Sequence, residues 1–351
     1  MLGWALLMLL SGRPVSALTH AELQAVAADG TSTWVDDFPF TIRGVVLNEP
    51  GEMLDTAYDS EATAAGTFGG QYQIFIQATD EADRGGTALW MAQNYEALFW
   101  VPVGNDYGAE WTQEVARVSI ATNGRAFRKG DWIEVTVRQA SFFNGKRNIS
   151  EGHSIAPEFN FDLQVVKANA GLPQVEALTL PDLVAADGSA IFDSTRQTGG
   201  EHWQGMRVRL DGIRLADTNG WGQSDWTNRI CTATDDTGRS LPLRMPLTDL
   251  GSPPATSDWF SVVGILNQEG GNTNGYELFV QEIGPVLQVE STDTGSALIQ
   301  FSADYEGFVL EASDDLVSPT WSEVDVTPVQ VIMLEDDTGG SNRVYRLRKV
   351  D

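Results

Sequence analysis

The stretch Lys129–Ile149, KGDWIEVTVRQASFFNGKRNI, decides how the rest of the chain reads. Ile133, Val135 and Val137 alternate with Trp132, Glu134, Thr136 and Arg138, so one face is apolar and the other polar, the period-two pattern of a half-buried strand. Asn144-Gly145 then supplies two residues that tolerate positive φ, as a tight hairpin requires, and Lys146 to Ile149 begins the return strand. The pattern recurs at Ser257–Ile283, SDWFSVVGILNQEGGNTNGYELFVQEI, where Asp258-Trp259-Phe260 matches Asp131-Trp132-Ile133 and Asn274-Gly275 takes the turn. This internal repeat predicts two barrels with their DW strands at equivalent positions, because the same alternation and turn must bury the same face.

Working outward, strands are expected at Phe40–Leu47 (FTIRGVVL), Tyr72–Ala78, Ala88–Ala92, Arg117–Ala121 and, closing the first round, Leu163–Lys167. The segment between Tyr95 and Arg117 breaks the pattern and reads as an insertion. From Ala168 to Gly200 the chain turns to Pro, Ala, Asp and Gly, which predicts a linker with one short helix near Leu180–Ala186. The second round opens at Met206–Leu215, where Gly212 is placed like Gly44. Arg229–Thr234 and Ser240–Met245 then flank an Asp235-Asp236-Thr237-Gly238 turn. After Pro285, runs at Ala297–Phe301, Gly307–Ala312, Val329–Leu334 and Arg343–Arg348 suffice for a small antiparallel sandwich.

The 351 residues allow two or three domains, and the 42% apolar fraction is ordinary for a globular chain. With 22 Lys plus Arg against 49 Asp plus Glu, the net charge of -27 repels polyphosphates at long range. The charge is uneven: residues 18–116 hold 2 basic and 16 acidic groups, whereas 117–150 hold 7 and 2. One cysteine, Cys231, cannot form an internal disulfide and reads as a small buried side chain. At the N-terminus the apolar run Leu2–Leu10 is shorter than the ~20 residues of a spanning helix. Val15-Ser16-Ala17 offers small residues for a signal peptidase, so export with cleavage after Ala17 is expected, although no Lys or Arg precedes the run.

The order of a VxGxV-like strand, an acidic-Gly hairpin and the GDW strand of Gly130-Asp131-Trp132 resembles the OB-fold modules found beside extracellular bacterial nucleases and in related secreted proteins. In the second copy Ser257 replaces the Gly, and Gly264 falls where that family often has one. The resemblance covers about half to two thirds of the chain, and the nuclease's own catalytic motifs are absent. FVLEASDDL, Trp321 and VYRLR resemble C-terminal modules on secreted proteins of environmental bacteria. The expected fold is therefore mostly β: two OB-like barrels in tandem, then a small antiparallel β-sandwich-like module. The expected division is a signal peptide at 1–17, a lead at 18–34, barrels at 35–168 and 201–288 joined by a linker at 169–200, and the C-terminal module at 289–351.

The leading functional expectation is a bacterial, secreted or periplasmic, non-enzymatic binding or scaffold protein whose partner is an extracellular protein or a glycan. It has no membrane span and needs no cofactor. A second reading is single-stranded nucleic-acid binding by the first barrel. Arg125, Arg128, Lys129, Arg138, Lys146 and Arg147 lie among Trp132, Phe142 and Phe143, the pairing of cations and aromatic faces that phosphate contact and base stacking need. That reading requires Arg128, Lys129, Lys146 and Arg147 to share one exposed face. Trp221 and Trp226 of GWGQSDW are the other candidate contact aromatics. A third reading is an accessory part of a secreted hydrolase system, but His20, His153 and His202 are scattered and no HExxH, GxSxG or Walker loop is present. Acid clusters at Asp80-Glu81-Asp83, Asp235-Asp236 and Glu335-Asp336-Asp337 offer carboxylates to calcium. Each sits beside Gly in an expected hairpin turn without EF-hand spacing, so turn chemistry is the simpler account.

Overall fold

The computed structural model describes residues 16–60, 69–80, 82–93, 105–153, 156–286, 288–291, 297–302, 308–314, 320–324, 331–336 and 344–349. The apolar run at 2–10, Glu81 and Asp337 lie outside them.

The first unit runs β1 (Ser16–Ala17), α1 (His20–Leu23), β2 (Phe40–Val46), α2 (Pro50–Met53), β3 (Gln71–Gln77), β4 (Gly86–Ala92), α3 (Gly108–Val118), β5 (Trp132–Val137), β6 (Ala140–Phe143), β7 (Lys146–Ser150) and β8 (Asp162–Lys167). Its strand order is β6-β7-β4-β3-β2-β5-β8, with β7 parallel to β4. β5 and β6 follow one another with two residues between them, and Ser150 N–H donates to Gln139 O at their junction, so the pair acts as one bent strand and brings β7 back beside β5. A five-stranded ring results. Ile133, Val135 and Val137 point into it with Phe40, Ile42, Ile74 and Leu89, as the alternation predicts.

The second unit runs β9 (Glu176–Leu178), α4 (Leu180–Leu183), α5 (Gly199–Trp203), β10 (Arg207–Leu215), β11 (Ile230–Thr234), β12 (Ser240–Arg244), β13 (Phe260–Gln268) and β14 (Tyr276–Pro285). Its order β11-β12-β14-β13-β10-β9 closes through a β10–β11 pairing. This is the same five-stranded, OB-like ring. β5 pairs with β2 as β13 pairs with β10, so the two DW strands are equivalent. Cys231 is fully buried in the second core.

The repeat reaches further upstream than the DW strands show. β1 lies parallel on β2, and β9 lies parallel on β10. After each comes a four-residue helix with a reciprocal cap, Thr19 with Glu22 and Thr179 with Asp182. A Val-Ala-Ala-Asp-Gly turn follows at 26–30 and again at 184–188, where Asp29 accepts from Thr31 and Asp187 from Ser189, both at 2.6 Å. Residues 169–200 are thus folded onto the second barrel as residues 18–34 are onto the first.

The strand expected at Arg117–Ala121 is not there: α3 runs through Val118, and Ile120 makes only an isolated bridge to Ala126. RVSIA has strand-like residues, but Trp111, Glu114 and Val118 fall on one helical face that buries against the barrel end, and that packing overrides local preference.

The barrels share a joint. Leu47, Met53, Phe75 and Ala88 of the first pack on Ile265 and Phe279 of the second, with Phe75 and Phe279 edge to face at 5.7 Å. Main chains meet at Gly86 and Gly205, where a Cβ on Gly86 would lie 2.0 Å from Gly205 O, so neither position has room for a side chain. Gln281 donates to Leu47 O at 2.7 Å, Arg229 to Met53 O at 2.6 Å, and Arg207 N–H to Gln77 Oε1 at 2.9 Å.

The C-terminal module has two three-stranded antiparallel sheets. One joins β15 (Gln288–Ser291), β16 (Ala297–Ser302) and β19 (Val331–Asp336); the other joins β18 (Ser322–Glu323), β17 (Phe308–Ser313) and β20 (Val344–Lys349). Among its described residues Ile299 and Leu310 form a buried apolar cluster. Among the described residues no helix is long and apolar enough to cross a membrane.

Candidate functional site

The cations of the basic stretch are distributed among internal partners. Lys146 reaches Asn267 Oδ1 at 2.8 Å and pairs with Glu269, crossing the joint with a side chain only 5% exposed. Burial raises the Glu269 carboxyl, but the Lys146 ammonium, the Asn267 amide and the Arg244 guanidinium together outweigh it and hold the group below its ordinary range. Arg147, 8% exposed, pairs with Asp36 at 3.2 Å and lies between the rings of Trp34 (4.7 Å) and Phe142 (5.9 Å). Arg138 is bound to Asp162, Lys129 to Glu52 at 3.6 Å and Arg125 to Asp131 at 3.6 Å. Arg128 and Phe143 are exposed. The single exposed face required of Arg128, Lys129, Lys146 and Arg147 does not form, because two of the four are buried struts.

Trp221 and Trp226 separate as well. Trp226 belongs to the joint, against Phe279 and beneath Arg244 at 3.9 Å. Trp221 donates to Gly251 O at 2.8 Å and lines a hollow of about 250 Å³ with Met245–Gly251.

A larger cleft, about 660 Å³, opens where the two barrels and the connecting segment meet. Trp132 forms part of its sheet wall, beside Val45 and Lys167 on the flanking strands. The β3–β4 turn supplies Gln77–Asp80 and Asp83–Gly85; the segment Ala170–Glu176 supplies the opposite wall, and Met206 comes from the second barrel. Arg84 and Glu176 tie those two walls together, and Trp203 Nε1 donates to the same carboxylate at 3.0 Å. Arg43 stands 5.9 Å from the Trp132 ring centre and binds Glu134.

No family model matches the chain, and neither does any curated protein.

Of the residues chosen as binding candidates, Trp132 alone lines this cleft; Asp80 and Asp83 line it too, but were singled out only as turn acids that could offer carboxylates to calcium. Most of the other lining residues come from the segment expected to be linker and from the β3–β4 turn, with Val45, Lys167 and Met206 from the barrels. A signal was present: Val-Ala-Ala-Asp-Gly occurs twice, and aligning its copies makes residues 169–200 part of a folded unit.

Elsewhere the three histidines, Glu151 and the Asp235 turn are engaged within the fold. His20 is buried with Nδ1 at Thr87 Oγ1 and Nε2 at Arg43 O, both 2.9 Å, and burial lowers its pKa. His153 bonds Glu114 beneath α3, and Arg117 holds Glu151 Oε1 at 2.8 Å while Phe161 N–H donates to Oε2. Burial pushes the Glu151 carboxyl up to about 7 against the pull of Arg117. His202 bonds Arg196 O at 2.7 Å. In the Asp235 turn one carboxylate oxygen accepts from Thr237 N–H, Thr237 O–H and Arg239 N–H, which is turn chemistry. Among the described residues no group of three His, Cys, Asp or Glu is arranged to hold a metal ion.

Proposed function

We propose that this is an exported binding protein in which two OB-like barrels act as one body and the cleft between them receives the ligand, a glycan or a protein segment. The carrying observation is the composition of that cleft: three separate parts of the chain build it, it has the size of small-molecule sites, and it lies at a domain junction, where such sites concentrate. Export rests on the short apolar run followed by Val15-Ser16-Ala17. The nucleic-acid reading is weaker, because Lys146 and Arg147 are consumed by the joint and by Asp36.

Hydrogen exchange on the full chain tests the proposal, using soluble glycans, a peptide mixture and a single-stranded oligonucleotide at low and high salt. The expected result is slowed exchange at residues 77–80 and 170–176 with a glycan or peptide probe. Protection confined to 140–150, produced by the oligonucleotide and erased by salt, would instead favour nucleic acid.

A further inference from the structure

Resting on the reading of the cleft as the binding site, we propose that its ligand is a neutral oligosaccharide, with Trp132 as the platform for a sugar face. Two features lead there. First, an indole set in a sheet wall next to Val45 and Lys167 offers a flat apolar surface, while Met206, Leu172 and Pro173 continue that surface around the cleft. Apolar faces of pyranose rings suit such a wall, as does any ligand that is apolar on one side and wet on the other.

Second, the polar groups are of mixed sign. Asp80, Asp83 and Glu176 stand against Arg84 and Lys167, and Arg84 is already bound to Glu176. Nearly balanced charges of this kind select neither a polyanion nor a polycation. Carboxylates, amides and Thr79 do match vicinal hydroxyls, which both donate and accept.

The test uses the full chain and the indole N–H resonance of Trp132, assigned by its disappearance in Trp132→Phe. The probes are cellohexaose, xylohexaose, maltohexaose and chitohexaose, with a sulfated oligosaccharide and a mixed peptide library alongside. At least one neutral oligosaccharide is expected to shift the Trp132 signal equally at low and high salt. Trp132→Ala should then weaken binding roughly tenfold or more, as for a central aromatic anchor. Trp221→Ala, in the other hollow, should leave the affinity unchanged. Gln174→Ala, at a segment wall with little packing to lose, should weaken binding without lowering the melting temperature. A Trp132 shift produced by peptides or the sulfated probe but by none of the neutral sugars overturns the ligand class and leaves the cleft standing. Sugar binding that survives both Trp132→Ala and Gln174→Ala, or silence at Trp132 with every probe, overturns the cleft itself.

Discussion

The two barrels are built on one ring and one lead, and they differ where the third strand of the ring hands over to the fourth. In the first, α3 lies across the barrel end and buries Trp111, Glu114 and Val118. In the second, the chain passes from β12 to β13 without a helix, and Met245–Gly251 with Trp221 leaves a hollow of about 250 Å³. The strands thus set the frame, and the crossing segment sets the chemistry at the barrel end. The pairs His153–Glu114 and Glu151–Arg117 have no counterpart in the second ring, because they depend on side chains that α3 brings. In the second barrel a buried ion pair, Arg244 with Glu277 at 2.7 Å, sits beside the joint instead.

If the joint makes the unequal barrels one cooperative body, its aromatic contact carries the largest effect. Phe279→Ala should cost roughly 3–5 kcal/mol, the range for deleting a buried aromatic side chain. It should also loosen the first barrel, since Phe75 loses its partner. Denaturant titration measures the cost, and hydrogen exchange shows how far it spreads. If β3 amides keep their wild-type protection while β14 amides lose theirs, the barrels are independent and the comparison becomes one between two separate domains.

The next effect is confined to the first barrel. Glu151 titrates near 7 when folded, against 4.5 ordinarily, because burial disfavours its charge. Between those values the folded chain holds a proton that the unfolded chain has released. Its contribution is therefore fully present below about 4.5 and is lost as pH rises through about 7. Glu151→Gln removes this slope. The wild-type minus variant stability should then change by on the order of 3 kcal/mol across that window, falling with rising pH. Melts of both proteins at pH 4.5 and pH 8 measure it. A difference independent of pH would mean that Arg117 already neutralises the burial cost, and that α3 is fastened by an ion pair of ordinary acidity.

What the sequence disclosed follows the same division. Period-two alternation and Asn-Gly turns are local, so Ile133, Val135 and Val137 announce the ring, and both DW strands fall where their pattern puts them. Crossing segments answer to the surface they land on. RVSIA reads as a strand until Trp111 and Val118 are seen packed on the barrel end. The basic stretch misleads for a related reason: counting charge along the chain cannot show that Glu269, more than a hundred residues away, waits for Lys146. The cleft was least legible because it belongs to no one segment: Trp132 was marked as a binding aromatic, and Asp80 and Asp83 only as turn acids.

The smallest effect bears on whether the leads are equivalent. Each has a Thr that closes a four-residue helix by a reciprocal cap: Thr19 with Glu22, and Thr179 with Asp182. Both carboxylates also accept from the Thr hydroxyl at 2.7 Å. Removing such a cap typically costs ~1 kcal/mol. Helices this short have no stability of their own, so the cost registers only as far as each lead is fixed to its barrel. The surroundings favour equality: α1 buries Leu23, α4 buries Leu180 and Leu183, and a parallel strand precedes each. Thr19→Ala and Thr179→Ala should therefore each lower stability by ~1 kcal/mol, and the double variant by their sum, since no hydrogen bond joins the two caps. Urea titration of the three variants measures this. A loss at Thr179 with none at Thr19 would show that the first lead is only laid against its barrel while the second is part of it, and residues 169–200 would then owe their order to the cleft they help to wall.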